Sequence, residues 1–113
     1  MTRYLISFNE GAMTFPADEL PAVAEAAHGV LREAKAAGVW IWGGGLVDAS
    51  TTTVVRPDGS AMDGPAPGVK DFLGGFSIIE CESREEALVW AAKFADACRC
   101  DQDLREIMYD PES

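Results

Sequence analysis

The chain has 113 residues, of which 48% are hydrophobic and 25% charged, a length and composition that suit one globular domain over residues 1–113. Its formal net charge of −10 argues against nucleic acid and anionic membranes as partners, because both attract clustered Lys and Arg. No apolar run approaches the roughly 20 residues of a membrane span and no signal peptide is recognisable, so we expect a cytoplasmic protein.

The first half of the chain predicts a strand, a helix and a second strand. Residues 3–8 alternate around apolar side chains and predict the first strand. The helix has Asp18 as its N-cap, Pro21 in its first turn and Gly38 just after its end. Residues 39–42 predict a second strand that runs into three glycines. The apolar residues of the helix fall on one stripe at 3.6-residue spacing: Leu20, Val23, Ala24, Ala27, Val30, Leu31 and Ala34.

A hairpin and another strand follow. Residues 51–56 are rich in β-branched side chains and predict a strand. Pro57-Asp58-Gly59 marks a turn through which the chain doubles back. Residues 63–71 contain two prolines and two glycines and should lack regular structure, and residues 75–82 predict the next strand.

The last third predicts a second helix and a final strand. Ser83 and Glu86 have the spacing of a capping box, in which each side chain bonds the backbone N–H of the other residue. Residues 104–109 alternate like a last strand. The helix between them carries a second apolar stripe: Ala87, Trp90, Ala91, Phe94 and Cys98.

The element order is β-α-β-β-α-β, the ferredoxin-like arrangement of the α+β class, an antiparallel sheet with two helices on one face. Two helices cover only one face of such a sheet. Yet residues 39–42 place large apolar groups on both faces of their strand, and residues 76–79 do nearly the same. Strands that are apolar on both faces are usually buried on both. We therefore expect a homodimer through the open sheet face, which gives a dimeric α/β barrel with a cavity between the sheets.

Three cysteines, Cys81, Cys98 and Cys100, are an odd number, which argues against a disulfide framework. The i, i+2 spacing of Cys98 and Cys100 is neither the C-x-x-C redox spacing nor a complete zinc-ligand set. The pattern favours buried or incidental thiols over a metal or redox role. We predict no metal site and no cofactor.

Several motifs, in order and in spacing, resemble the YCII-related family with its DGPF motif. They include an Asp-Gly-Pro turn, a Leu-Gly-Gly-Phe strand and a helix of the form Ser-x-x-Glu-Ala-x-x-Trp-Ala-Ala. The resemblance covers most of the chain and implies a ferredoxin-like dimeric barrel with a cavity, and small-molecule chemistry. The matches fall at residues 36–39, 43–46, 63–65, 73–76, 83, 86–87 and 90–92.

Two positions depart from the family pattern. The Phe of the signature is Ala66 in this chain. Some relatives carry a histidine near the start of the first helix, as half of a proposed His–Asp pair. This chain has Pro21-Ala22-Val23 there, and its only histidine, His28, comes one to two turns later. No histidine role transfers by motif.

Asp63 and His28 are the candidate catalytic residues. At the rim of a cavity the Asp63 carboxylate would act as a general base, but aspartate is also a favoured first residue of a turn. His28 lies at the edge of the apolar stripe of the first helix. It is either a half-exposed helix histidine or the partner of Asp63 in acid–base chemistry near neutral pH.

The candidate ligand-binding residues are mostly glycines. The run at residues 43–45 lacks the G-x-G-x-x-G spacing of a nucleotide fingerprint, and no helix follows it. Glycines in strands either pack backbones closely or line a ligand site, where free N–H groups can bind a carboxylate. Trp42, placed on the same face as Trp40, would floor an apolar pocket or pack in the core. Arg56 would neutralise an anionic ligand or lie on the surface. The predicted set is Trp42, Gly43, Gly44, Gly45, Arg56, Gly64, Pro65, Gly74 and Gly75.

Two functions fit these features. The first is a cofactor-independent enzyme of the lyase or isomerase type that converts a small aromatic or carboxylic acid in the barrel cavity, with Asp63 moving the proton. The second is a non-catalytic small-molecule-binding or regulatory module of the same fold. The apolar sheet beside a turn carboxylate favours the first function, whereas the missing family histidine and the altered signature favour the second.

Overall fold

The computed structural model describes residues 1–113 as a four-stranded antiparallel sheet, two helices and a separate hairpin. The sheet order is β2-β5-β1-β6, the ferredoxin-like arrangement, with the hairpin β3–β4 inserted between β2 and β5. The predicted α+β fold is confirmed. Neither helix is long and apolar enough to cross a membrane. The elements are β1 Thr2–Asn9, α1 Leu20–Ala36, β2 Trp40–Gly45, β3 Thr53–Val55, β4 Ala61–Asp63, β5 Leu73–Cys81, α2 Arg84–Cys98 and β6 Asp103–Glu106.

The core lies between the two helices and one face of the sheet, which we call the helix-covered face. Tyr4 and Ile6 of β1 point to this face, and Ile79 of β5 pairs with Tyr4 across the ladder. Ile6 and Ile79 are 1% and 0% exposed. Burial of each large apolar side chain contributes about 1.5–3 kcal/mol, so this layer holds the fold together. The predicted stripe of α2 is buried as a whole: Ala87, Trp90, Ala91, Phe94 and Cys98.

Helix α1 differs from the prediction at its start. A short 3-10 turn over Ala17–Glu19 takes Asp18 into a helical conformation, and the N-cap is Glu19 without a side-chain hydrogen bond. The prediction that Asp18 caps this helix was therefore wrong. Pro21 lies in the first turn, and Gly38 follows the helix end with a φ of 76°, both as predicted.

Helix α2 begins at the predicted side-chain cap. Ser83 Oγ accepts a hydrogen bond from the Glu86 N–H at 3.2 Å. The Glu86 carboxylate accepts from the N–H of Glu82 at 3.4 Å, so the reciprocal half of the capping box is shifted by one residue. Both bonds satisfy N–H groups that have no partner inside the helix. The helix ends at Arg99, whose φ of 56° is left-handed.

A β-bulge in β2 separates the two tryptophans that were predicted to share a face. Trp40 pairs with Ile79 and Trp42 with Ile78, so the register shifts between them. Trp40 faces the helices, where its ring lies 6.1 Å from that of Phe94. Trp42 faces the other side of the sheet. The prediction was wrong because the extra residue of a bulge interrupts the two-residue alternation of a strand.

The other face of the sheet, which we call the open face, is covered by no helix. Trp42 is 64% exposed there, and its ring packs edge-on against Phe76 with centroids 5.3 Å apart. The molecule measures 44 × 43 × 19 Å and its radius of gyration is 15.8 Å, against about 13 Å for a compact chain of this length. The protein is therefore a flat slab with apolar groups on both faces of its sheet, as the sequence predicts. The apolar side chains of the open face are Leu5, Ile41, Trp42, Phe76 and Ile78.

The hairpin β3–β4 stands apart from the sheet, because its two strands pair only with each other. The N–H of Gly64 donates to the carbonyl of Thr52 at 2.7 Å and closes its base. Val55 is 68% exposed and Met62 is 37% exposed. An isolated two-stranded hairpin is only marginally stable in water, so this arm has apolar surface that no element of its own chain covers.

The last strand is shorter than predicted. β6 ends at Glu106, although the N–H of Ile107 still donates to the carbonyl of Arg3 at 2.9 Å. Met108 and Tyr109, predicted to lie within the strand, are 88% and 90% exposed in the tail that follows. A groove of about 550 Å³ separates this tail from the open face.

All three cysteines are free, with Cys81 and Cys98 buried and Cys100 half-buried. Burial raises the pKa of the Cys81 thiol from 9.0 to about 11. Burial also raises the pKa values of Cys98 and Cys100. Since the thiolate is the reactive form of cysteine, these groups are weak nucleophiles at neutral pH.

We expect the free energy of unfolding to fall as the pH rises from 9 to about 11. The Cys81 thiol has a pKa of about 11 in the folded chain against 9.0 as its ordinary value, so the unfolded chain ionises first. The stabilisation is complete below pH 9 and is lost as the pH passes through the folded pKa. Urea unfolding across this range should show the decline. Cys81→Ala should be less stable throughout, because it leaves a cavity, but should lose less over the same range. Equal losses in both proteins would contradict the assignment.

Candidate functional site

A cavity of about 220 Å³ lies between the helix-covered face of the sheet and the two helices, beside the glycine end of β2. Most of its wall is apolar. Leu31 of α1 and Phe94 of α2 approach from the helices, while Phe8 and Trp40 come from the sheet. Leu31 belongs to the predicted core stripe of α1 but is only half-buried, because the cavity lies where close packing would otherwise bury it.

The position of Phe8 in this wall depends on two glycines of β5. A Cβ atom on Gly74 or on Gly75 would lie 2.8 Å from the Phe8 ring, closer than such atoms approach. The absence of side chains at these positions therefore lets the ring lie against the backbone of β5. Gly74 and Gly75 shape the cavity through Phe8 and do not line it themselves.

Three polar residues, His28, Ser77 and Gln102, interrupt the apolar wall. Ser77 pairs with Ile6, so its side chain points to the helix-covered face. The amide Nε2 of Gln102 donates to Cys100 Sγ at 3.4 Å. The Gln102 carbonyl oxygen, the Ser77 hydroxyl and the His28 ring make no side-chain hydrogen bond within the chain, and none is sealed off from solvent. They are therefore free to bond a ligand.

A loop that we call the strap, residues 10–19, borders the cavity and brings Met13 to it. Its first residue is bound twice. The N–H of Glu10 donates to the Phe72 carbonyl at 2.7 Å, and the Glu10 carboxylate accepts from the N–H of Ala49 at 2.8 Å. These bonds fix the start of the strap to the segments on either side of the β3–β4 hairpin.

Arg99, the residue that ends α2, holds the far end of the strap. Its guanidinium forms an ion pair with Glu19 and lies over the ring of Phe15, 6.0 Å from the centroid. The loop is thus tied at both ends while Met13 lies between the ties.

The three glycines of β2 line the cavity, but they differ in whether a side chain would fit at their positions. A Cβ atom on Gly43 would lie 2.4 Å from the backbone oxygen of Phe76, so only glycine fits there. Gly44 and Gly45 have open space where a Cβ atom would lie. Their ladder partners place Gly45 on the helix-covered face and Gly44 on the open face. A side chain added at Gly45 would therefore enter the cavity.

The two predicted catalytic residues do not meet in this cavity. His28 is exposed at its edge. Asp63 is the last residue of β4, is exposed and accepts a hydrogen bond from Thr53 Oγ1 at 3.4 Å. It does not line the cavity. The predicted Asp63–His28 pair is thus not brought together within one chain.

The remaining predicted ligand-binding residues fall in three places. Gly43, Gly44 and Gly45 line the cavity. Trp42 lies on the open face, where the predicted cavity between two sheets would require a second copy of the chain. The others belong to the hairpin or to the strand beneath Phe8: Arg56, Gly64, Pro65, Gly74 and Gly75.

Sequence reasoning missed Met13, Ser77 and Gln102. A signal existed for Ser77, which is the one hydroxyl residue within an apolar run of β5. Met13 and Gln102 lie in irregular segments that no periodic pattern marks. No group of three or more His, Cys, Asp or Glu side chains lies together so as to hold a metal ion.

The geometry defines a class of small α+β proteins: a ferredoxin-like sheet that carries a cavity, with free polar groups, under its two helices. The chain belongs to the YCII-related domain family, whose model matches residues 3–97. That range contains the sheet except Thr2 and β6, and every cavity residue named above except Gln102. A comparison with curated proteins finds none that matches the chain.

Proposed function

We propose that this YCII-domain protein binds a small planar organic molecule in the cavity between its helices and sheet, and converts it by proton transfer as a cofactor-independent enzyme of the lyase or isomerase type. The observation that supports the proposal is the meeting of His28, Ser77 and Gln102 in one mainly apolar cavity of about 220 Å³. Apolar clefts with a few convergent polar groups are the usual form of small-molecule sites.

His28 is the proton carrier in this proposal, because imidazole both accepts and donates protons near neutral pH. In an isomerisation it takes a proton from one carbon of the ligand and returns it to another. In an elimination it takes the proton from the carbon next to the one that loses the leaving group. Ser77 and Gln102 hold the polar substituent of the ligand, and neither reaction needs an external oxidant or reductant.

Turnover of a panel of small ring compounds tests this role. We expect His28→Gln to reduce kcat by about 100-fold or more, since general acid–base catalysis contributes about 10²–10⁴ in rate. KM should change little, because the glutamine keeps a hydrogen-bonding group. Lys35→Gln, at an exposed position on the same helix, is the matched control. Full activity in His28→Gln would remove His28 from the mechanism.

A non-catalytic binding or regulatory module is the second candidate. It is favoured by the absence of a carboxylate from the cavity wall, because Asp63 lies on the hairpin and lines no part of this cavity. In this case ring compounds raise the melting temperature without being converted. The panel therefore distinguishes the two candidates directly.

We also propose that two copies associate through their open faces to form the dimeric barrel, in the cytoplasm. Support comes from the exposed Trp42, from the slab shape and from the hairpin, whose strands pair only with each other and leave Val55 exposed. A barrel would bring Asp63 and Trp42 of one copy near the surface of the other. Any catalytic role of Asp63 depends on that assembly.

A further inference from the structure

We infer that the cavity selects a neutral ligand with a single ring and one hydrogen-bonding substituent, such as an aromatic alcohol, aldehyde, ketone or amide, and discriminates against carboxylates. This inference rests on the proposed function of the cavity and narrows the class of ligand. It departs from the sequence-based expectation that aromatic and carboxylic acids are bound.

The volume of the cavity limits the size of the ligand. An engineered cavity of about 150 Å³ in another protein binds benzene, and the volume here is about 220 Å³. The difference leaves room inside the cavity for one substituent on a six-membered ring, and any larger part of a ligand would project from its open side. The apolar side chains around it, Phe8, Leu31, Trp40 and Phe94, offer flat and branched surfaces that suit such a ring.

The lack of charged side chains in the cavity wall limits the charge of the ligand. No Lys, Arg, Asp or Glu lines the cavity. On α2, the cations next to the lining residues have other partners: Lys93 pairs with Glu33 at 3.6 Å and lies over Trp90, and Arg99 pairs with Glu19. A carboxylate entering the cavity would lose part of its hydration without gaining a fixed cation, and such burial is costly. The net charge of −10 adds a further penalty.

The free polar groups of the cavity limit which substituent the ligand can carry. The Gln102 carbonyl oxygen only accepts hydrogen bonds, whereas the Ser77 hydroxyl and the His28 ring can donate and accept. A hydroxyl or primary amide on the ligand satisfies both kinds of group, and a carbonyl satisfies the donors. An ionised carboxylate only accepts, so it leaves the Gln102 oxygen facing a negative charge.

Benzamide and benzoate form a matched pair of probes, because they have nearly the same shape and differ in charge near neutral pH. We expect benzamide to bind about tenfold or more tightly than benzoate. Binding is measured by the NMR shifts of the Ser77 and Gly45 backbone amides and by Trp fluorescence. Ser77→Ala should weaken benzamide roughly two- to tenfold, the effect of one hydrogen bond. Gly45→Val should weaken binding of both, because its side chain takes up part of the cavity. Ala92→Val, exposed on α2 and away from the cavity, is the control for introducing a valine outside the cavity.

Benzoate binding as tightly as benzamide, with both weakened by Gly45→Val, would overturn the neutral-ligand inference and leave the proposed function of the cavity intact. Neither probe shifting the cavity amides at millimolar concentration would overturn both. Binding that Gly45→Val leaves unchanged, while circular dichroism shows an intact fold, would place the ligand elsewhere and would also overturn both.

Discussion

Gly43→Ala should cost about 3 kcal/mol of folding stability, the upper part of the range for forcing a group into a packed site. The new methyl group would lie 2.4 Å from the Phe76 carbonyl oxygen and 2.8 Å from the Ser77 Cα atom. Both are backbone atoms of β5, which cannot turn aside as a flexible side chain does. Either β2 separates from β5 or the ladder shifts, and both changes open the cavity wall. Urea unfolding followed by Trp fluorescence measures the loss.

Gly44→Ala is the matched control for this prediction. Gly44 has nothing within 4 Å of the place where a Cβ atom would lie, and it is the next residue of the same strand. Gly44→Ala should raise the free energy of unfolding by no more than about 1 kcal/mol, because alanine restricts the unfolded chain more than glycine does. Equal losses at Gly43 and Gly44 would show that general strand propensity, and not the close approach of β5, dominates.

Trp42→Glu should convert a wild-type dimer into a monomer. In the proposed dimer the Trp42 side chain, 64% exposed in the single chain, is buried between two sheets. Losing this burial costs about 2–3 kcal/mol per copy, and placing a carboxylate against an apolar face costs more, so the dissociation constant should rise at least about 100-fold. Light scattering coupled to gel filtration at micromolar concentration measures the mass directly.

Leu88→Glu provides the comparison for this substitution. Leu88 is an exposed apolar residue on the outer side of α2, 43% exposed, so a glutamate there should leave the mass unchanged. A monomeric wild-type protein would remove the dimer proposal. A dimer that persists in Trp42→Glu and dissociates in Leu88→Glu would place the interface on the helices and leave the open face without a partner.

The elements with regular spacing could be predicted from the sequence, because their periodicity reflects burial on one side. Helix α2 is the clearest case: its stripe from Ala87 to Cys98 is buried and its cap at Ser83 forms as predicted. Local exceptions escaped prediction. The bulge that puts Trp40 and Trp42 on opposite faces depends on the pairing with β5, and the 3-10 turn that displaces Asp18 depends on how the strap joins α1.

The candidate site could be predicted only in part, because its cavity is made by segments distant in sequence. His28 and the glycines of β2 were identified from local features, and both line the cavity. Ser77 and Gln102 join them only when β5 and the segment after α2 are packed together. Asp63 shows the opposite case: a turn signal that is informative about the hairpin carries no information about its distance from His28.

Arg99 shows two requirements in conflict at one position. Its left-handed backbone, with a φ of 56°, is a conformation that costs a residue with a side chain about 1–2 kcal/mol and a glycine almost nothing. A glycine would therefore relieve the backbone but would release Glu19 and Phe15. Arginine at this position costs backbone free energy, but its side chain binds Glu19 and Phe15 and so holds the strap beside the cavity. The rate at which small molecules enter and leave should consequently depend on a residue that never touches them.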